Sequence, residues 1–352
     1  MPDVLVTVDG RQVSVPPGST VLQAAEAAGV KIPTLCHHPA LEPIGACRMC
    51  LVEIEKQRGY HPACTFPVSA GIVVHTNSPG VRDARRFVLE LLLSDHPLDC
   101  MTCDAAGACE LQDLAYEYGI KESRFPGVQH DWPVTDANPF ILRDYNKCIL
   151  CRRCIRACQE INGVEAIGLI ARGFDTKVGT AFDGDLADSP CEFCGMCVAV
   201  CPTGALLPKP GIGRGRNWEL TTTTTICPYC GVGCSLDVMV KDNKIARVAS
   251  HWDGAANHGA TCVKGRFGLD FVESEERLTA PLIRKDGELV EATWDEALDL
   301  VVNKFAEIVE ESGPDALAFL SSAKCTNEEN YLLQKLSRAV VGTNNVDHCA
   351  RL

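Results

Sequence analysis

The residues in this sequence that could do chemistry are cysteines. The 352-residue chain has 21 of them, and 19 fall into five sets, each with its own spacing. The first is Cys36-x10-Cys47-x2-Cys50-x13-Cys64, and the second is His96-x3-Cys100-x2-Cys103-x5-Cys109. The third and fourth, Cys148-x2-Cys151-x2-Cys154-x3-Cys158 and Cys191-x2-Cys194-x2-Cys197-x3-Cys201-Pro202, repeat one another. The fifth opens with Cys227-x2-Cys230-x3-Cys234 and closes at Cys262 after 27 intervening residues. Thiolates in fours hold either an iron–sulfur cluster or a structural zinc ion. Zinc sites more often repeat a CxxC pair, and the first set has only one, Cys47 and Cys50. A lone histidine is usually a core or surface residue, but His96 stands where the second set lacks a fourth ligand. An imidazole in place of a thiolate leaves a cluster less negative and raises its potential. A zinc ion on the same four residues is the alternative. Cys325 and Cys349 are left over, and Cys325 reads as a small buried residue.

The elements around the sets follow from local pattern. VLVTVD and RQVSV alternate and meet at Asp9-Gly10, a hairpin signal. Ser19 or Thr20 then caps a short helix, VLQAAEAAG, closed by Gly29. The stretch VRDARRFVLELLLSDHPLDC predicts an amphipathic helix ending near Ser94-Asp95. Between the third and fourth sets, AIGLIARG and TKVGTAFDG read as strands. Arg143, Lys147, Arg152, Arg153 and Arg156 crowd the third set. They read as a solvated basic face, with cations that offset a negative cluster as the alternative. Thr221 to Thr225 reads as a low-complexity linker. LDVMV and KIARV are strands either side of Asp242-Asn243. Gly287 marks a hairpin between PLIRKD and ELVEAT. Thr293-Trp294-Asp295-Glu296 is a capping box. It opens a helix whose apolar face is Leu298, Val301, Val302, Phe305 and Ile308, ended by Gly313-Pro314. DALAFLSSA reads as a buried strand, and a second helix opens at Asn327 and reaches Val341. These β-α units begin an α/β domain that is unfinished, because so few cannot cover both faces of a parallel sheet.

Composition narrows the function. A formal net charge of −13 argues against nucleic-acid binding. The start, MPDVLVTVDGRQVSV, lacks a basic n-region and a long apolar h-region, and no apolar run is long enough to span a bilayer. The expectation is a cytoplasmic protein without a transmembrane segment. In that reducing compartment, dense cysteine means metal ligation rather than disulfides.

These motifs resemble known modules. The hairpin–helix start and the first set are similar to a β-grasp ferredoxin with one [2Fe–2S] cluster. Such a module occurs in the large NADH:quinone oxidoreductase subunit, in iron-only hydrogenases and in NAD-dependent formate dehydrogenases. The second set matches the one-His/three-Cys [4Fe–4S] element of the same families. The third and fourth sets are the two-cluster bacterial ferredoxin pattern, in which the fourth cysteine of each run ligates the other cluster. The resemblance therefore implies Cys148, Cys151, Cys154 and Cys201 for one [4Fe–4S] cluster, and Cys191, Cys194, Cys197 and Cys158 for the other. Gln159 stands where proline often follows the first run. The fifth set, with Cys262-Val263-Lys264-Gly265-Arg266-Phe267-Gly268, resembles the opening domain of molybdopterin oxidoreductases. There Cys227, Cys230, Cys234 and Cys262 would hold a fourth [4Fe–4S] cluster. Lys264 would lie between that cluster and the pterin, on the electron path. The implied fold class is α+β and multi-modular. Its parts are a [2Fe–2S] β-grasp ferredoxin at 1–78, the one-His/three-Cys module at 79–120 and a 2×[4Fe–4S] ferredoxin domain at 138–210. A molybdopterin-oxidoreductase [4Fe–4S] domain follows at 222–278, with an incomplete α/β pterin-binding domain at 279–352.

Taken together, the chain resembles the iron–sulfur-rich part of a molybdenum- or tungsten-dependent formate dehydrogenase catalytic subunit. The resemblance implies formate oxidation to carbon dioxide, or the reverse, at a Mo or W bis-molybdopterin guanine dinucleotide. Electrons would leave through the fifth set and pass along the ferredoxin clusters towards the other two. Flavin- and NAD-binding and Fe–S partner subunits of a soluble complex would receive them. The last residues, GTNNVDHCARL, resemble the segment that leads into the family's metal-ligating Cys or selenocysteine. Cys349 matches the preceding Cys, so that ligand would stand beyond Leu352. The expectation is that a UGA codon for selenocysteine follows there. The large subunit of NADH:quinone oxidoreductase shares the first, second and fifth sets but has one cluster between them. An iron-only hydrogenase would continue into a hydrogen-activating domain rather than CPYCGVGC. An iron–sulfur protein that only transfers electrons is the third alternative, and the 352-residue chain alone is expected to be inactive towards formate.

Overall fold

The computed structural model describes residues 2–125, 127–134 and 137–348. Its contacts divide the chain into two compact units. One is Met1–Thr221 with Met239–Asp242, and the other is Thr222–Val238 with Asn243–Leu352.

The first unit opens on β1 (Val4–Val8) and β2 (Arg11–Val15), paired antiparallel from Val4↔Val15 to Val8↔Arg11. Asp9 and Gly10 both sit at positive φ, the two-residue turn whose twist suits a hairpin. Helix α1 (Val21–Ala27) follows, capped by Thr20 in a reciprocal box with Gln23. β3 (Leu51–Ile54), β4 (Tyr60–Pro62) and β5 (Val73–His75) complete a mixed sheet ordered β2-β1-β5-β3-β4, in which β5 runs parallel to β1. Val6, Val8, Val21, Val52 and Val74 are fully buried between sheet and helix. Each such side chain contributes about 1.5–3 kcal/mol by leaving water.

Helix α2 (Pro79–Ser94) starts on Ser78 with proline in its first turn and ends where the sequence predicts. Buried Arg85 ties it to the sheet by donating to the Leu51 carbonyl at 3.1 and 2.6 Å. Buried Glu90 pairs with Arg86 at 3.3 Å and Arg124 at 2.5 Å. α3 (Glu110–Glu117) begins directly after Cys109. β6 (Ile141–Arg143) pairs with β9 (Leu206–Pro208), bringing the two ends of the cysteine repeat together. Between them lie α4 (Arg153–Arg156), β7 (Gly168–Ile170), β8 (Lys177–Gly179) and α5 (Met196–Ala199).

In the second unit, β10 (Thr221–Ile226), β11 (Ser235–Lys241) and β12 (Lys244–Ser250) form a three-stranded sheet. The run Thr221 to Thr225 is therefore strand rather than linker, because β-branched threonines fit an exposed pleated edge. α6 (Val263–Phe267) follows Cys262. β13 (Leu282–Lys285) and β14 (Glu288–Glu291) form the hairpin expected at Gly287. α7 (Trp294–Ser312) carries the expected capping box, but Leu298, Val301 and Val302 of its apolar face are exposed. Among the described residues, two strands stand beside it, β15 (Phe319–Ser321) and β16 (Val346–His348), paired parallel. So narrow a sheet cannot cover a five-turn helix. Phe305 does meet it, edge-on to Phe319 at 6.0 Å. α8 (Asn327–Lys335) links the strands and continues as a wider turn, Leu336–Val341. Cys349 and the rest of the closing motif lie outside the described residues.

Candidate metal centres

The first set sits in the loop between α1 and β3 and just after β4, with all four cysteines buried. Cys36 Sγ lies within hydrogen-bond reach of the Cys47 and Cys64 sulfurs, and Cys64 Sγ within reach of Cys50. The backbone N–H of Cys36 donates to Cys47 Sγ at 3.3 Å and that of Met49 at 3.5 Å. Such donors stabilise sulfur that carries negative charge. Hydrogen bonds from the neighbouring thiols hold Cys36 down to about 2, while the same bond pushes Cys47 up.

His96 follows the end of α2, and Cys109 precedes α3. The His96 Nδ1 is 2.8 Å from the Pro97 carbonyl, so Nδ1 carries the proton and donates. Nε2 is then a bare lone pair, and it is buried without a hydrogen-bond partner. Burial keeps the ring neutral by lowering its pKa. An orphaned, buried imidazole nitrogen fits a metal ligand. It lines a cavity of about 510 Å³ together with Cys100 and Cys109. Gly204 packs against the same set, for a Cβ there would stand 2.7 Å from Cys103 Sγ.

The cysteine repeat is visible in the backbone. Leu150 and Arg152 of the third set, and Phe193 and Gly195 at the matching positions of the fourth, all sit at positive φ. Each pair of reversals turns a loop around its thiols before a short helix begins. Cys151 and Cys154 lie within electrostatic reach of Cys148 and Cys201. Cys197 lies in reach of Cys191, Cys194 and Cys158. The fold thus brings the fourth cysteine of each run within electrostatic reach of the other run. Burial pushes the thiols of Cys148 up to about 11 and Cys151 up to about 12. They are therefore protonated without metal and release protons when they bind it. Ile149, Val178 and Leu206 wall the space beside Cys148, Cys151, Cys154 and Cys201.

Of the five cations expected on a solvated face, only Arg152 is exposed. Arg143, Arg153 and Arg156 are 3–5 % exposed, and Lys147 bridges Asp99 and Asp144 at 3.0 Å each. Arg153 makes a two-pronged pair with Glu110 at 2.5 and 2.8 Å. Position in a motif hid this, since nothing in the local pattern marks which of five basic residues turns inward.

In the second unit, the Cys227 N–H donates to the Cys234 carbonyl at 2.8 Å and closes the loop around the fifth set. Cys234 lies within electrostatic reach of Cys227, Cys230 and Cys262. Gly265 packs so that a Cβ would stand 3.4 Å from Cys227 Sγ. Lys264, beside it, is exposed. A second cavity of about 510 Å³ opens at the carboxyl ends of the parallel strands, lined by Ser321, Ser322, Asn330, Asp347 and His348. That is where open α/β sheets take nucleotide-like ligands. Cys325 is half-buried rather than buried. Among the described residues, no three His, Cys, Asp or Glu side chains are arranged to hold a single metal ion. No helix among them is long and apolar enough to cross a membrane.

Comparison with known proteins finds related modules along the chain. Residues 2–79 match a 2Fe-2S iron-sulfur cluster binding domain, and 85–124 the NADH-ubiquinone oxidoreductase-G iron-sulfur binding region. Residues 138–207 match the ferredoxin-like domain of NADH-quinone oxidoreductase subunit 3. Residues 220–274 match the molybdopterin oxidoreductase Fe4S4 domain and 277–352 molybdopterin oxidoreductase itself. The chain is 45% identical over 350 residues to a NADH-quinone oxidoreductase subunit of Rhizobium meliloti, covering 99% of this chain and 40% of that protein. It is 40% identical to the NADPH-Fe(3+) oxidoreductase subunit alpha of Geobacter sulfurreducens, covering 99% of this chain and 40% of that one. It is 36% identical to a putative formate dehydrogenase of Staphylococcus aureus, covering 99% and 39%. The chain thus spans about 40% of the length of these relatives. Among solved structures, a chain of the NAD+-reducing [NiFe]-hydrogenase aligns with a TM-score of 0.57 at 33% identity, covering 60% of this chain and 90% of that one. Residues 2–124 of the chain are thus similar to iron–sulfur domains of the kind found in NADH-quinone oxidoreductase, and residues 220–352 to the molybdopterin oxidoreductase family.

Proposed function

We propose that this chain is the electron-transferring part of a formate dehydrogenase catalytic subunit, working in the cytoplasm with flavin- and NAD-binding partner subunits. Its residues would hold one [2Fe–2S] cluster on Cys36, Cys47, Cys50 and Cys64, and one [4Fe–4S] cluster on His96, Cys100, Cys103 and Cys109. Two more would stand on Cys148/Cys151/Cys154/Cys201 and Cys191/Cys194/Cys197/Cys158, and a last on Cys227/Cys230/Cys234/Cys262. Lys264 and the cavity at Ser321, Asn330 and Asp347 would face a Mo or W bis-molybdopterin guanine dinucleotide. Bound clusters and pterin supply the exchange of electrons one or two at a time, while the protein seats and tunes them. The observation that carries the reading is one chain joining a two-run cysteine repeat to the CPYCGVGC and CVKGRFG motifs. The relatives named putative formate dehydrogenase align along the same span.

A second reading is favoured by the 45% identical relative, named as part of NADH-quinone oxidoreductase. On that reading the same clusters serve an NADH-linked complex with no formate chemistry. The test is reduction of the clusters in the complex purified from its own host, followed by EPR. Reduction by formate supports the first reading. Reduction by NADH with none by formate supports the second.

A further inference from the structure

Arg156 stands between Cys154 and Cys158, yet its side chain reaches the loop of the first set. Its guanidinium donates to the carbonyl oxygens of Cys36 and Glu42. It is 5 % exposed, and its Nε has no hydrogen-bond partner. Among the described residues no carboxylate pairs with it. The nearest in sequence, Glu160, is engaged elsewhere and accepts from the Glu42 N–H at 2.8 Å. Arg153, one turn earlier, differs in that Glu110 neutralises it.

A buried guanidinium held by two carbonyl dipoles alone is strongly unfavourable unless an anion lies near it. The acidic group at hand is the set of four buried sulfurs that begins at Cys36. A [2Fe–2S] core on four thiolates is negative in both oxidation states, and more so when reduced. A fixed cation beside it therefore favours the reduced form. We propose that Arg156 is the counter-charge of the [2Fe–2S] cluster on Cys36, Cys47, Cys50 and Cys64 and raises its reduction potential. The inference rests on the cluster assignment above. Arg156 is a positioning and tuning residue, because it touches a ligand's backbone and not the iron. It also explains why a cation of the ferredoxin segment turns inward, since the charge is used by the neighbouring module.

The test is an EPR-monitored redox titration of the anaerobically reconstituted 352-residue chain, comparing the parent with R156Q and R156K. R156Q should make reduction of the [2Fe–2S] centre about tenfold less favourable, ~59 mV for a one-electron couple. The [4Fe–4S] signals in the same sample should move less. R156K keeps the charge and should stay near the parent. An unchanged [2Fe–2S] potential in R156Q overturns the proposal, as does an R156K shift as large as that of R156Q. Loss of the [2Fe–2S] signal in both variants also overturns it, by making Arg156 a staple needed for assembly. A parent chain without any [2Fe–2S] signal overturns the cluster assignment itself, which the wild-type spectrum shows before any variant is compared.

Discussion

His96 is the residue on which the one-His/three-Cys reading turns. Its Nδ1 proton is fixed by Pro97, and its buried Nε2 has no other partner. His96→Ala should abolish one [4Fe–4S] signal and leave the others, as read by low-temperature EPR. Gly204→Ala places a methyl 2.7 Å from Cys103 Sγ and should perturb the same signal, with little change in the [2Fe–2S] one. Glu90 supplies a test away from the metals. Hydrogen bonds from Arg124 and Arg86 hold its carboxyl below the usual 4.5. A carboxylate lowered in the folded state stabilises above its ordinary value, and that contribution is lost as pH falls through the lowered one. Thermal unfolding should therefore show a smaller gap between the parent and Glu90→Gln as pH drops below 4.5. At neutral pH the substitution should cost about 1–2 kcal/mol, limited by the exposure of both arginines. The grouping of the cysteines into sets was legible from spacing alone, since each set repeats its own short intervals. The inward turn of Arg153 and Arg156 was not, because their partners Glu110 and Cys36 lie far off in sequence.

At the scale of elements, the sequence predicted starts better than packing. Thr20 and Thr293 cap helices where capping patterns place them, because a cap is settled within four residues. The Thr221–Ile226 strand was missed, since a low-complexity run resembles a linker until its sheet partner is known. The exposed face of α7 was missed for the complementary reason that periodicity shows which residues share a face and not what covers it. The repeated pair of left-handed residues ahead of α4 and α5 carries a further prediction. Gly195 sits at φ +72, and a β-branched side chain is strained there. Gly195→Val should lower stability by about 1–2 kcal/mol and weaken the cluster on Cys191, Cys194, Cys197 and Cys158 before the other ferredoxin cluster. Iron release under chelation, followed by absorbance, checks this.

For the whole molecule, an apolar cluster that includes Leu35, Met49, Leu89, Leu111 and Leu207 joins the loop of the first set, α2, α3 and the cysteine repeat of the first unit, and buried cations reinforce it. Arg85 ties α2 to β3, Arg153 ties α4 to α3, and Arg156 ties α4 to the loop of the first set. Arg85→Ala strands the Leu51 carbonyl and should cost about 1–3 kcal/mol. The modular order was legible because each set has its own spacing, whereas these ties were not. The central claim is that the cysteine sets and His96 seat iron–sulfur clusters and not zinc. The most direct measurement is iron, zinc and acid-labile sulfide content with Mössbauer spectra of the anaerobically purified chain. The account predicts about 18 iron atoms per chain with matching sulfide, as one [2Fe–2S] and four [4Fe–4S] clusters. Stoichiometric zinc without labile sulfide would contradict it.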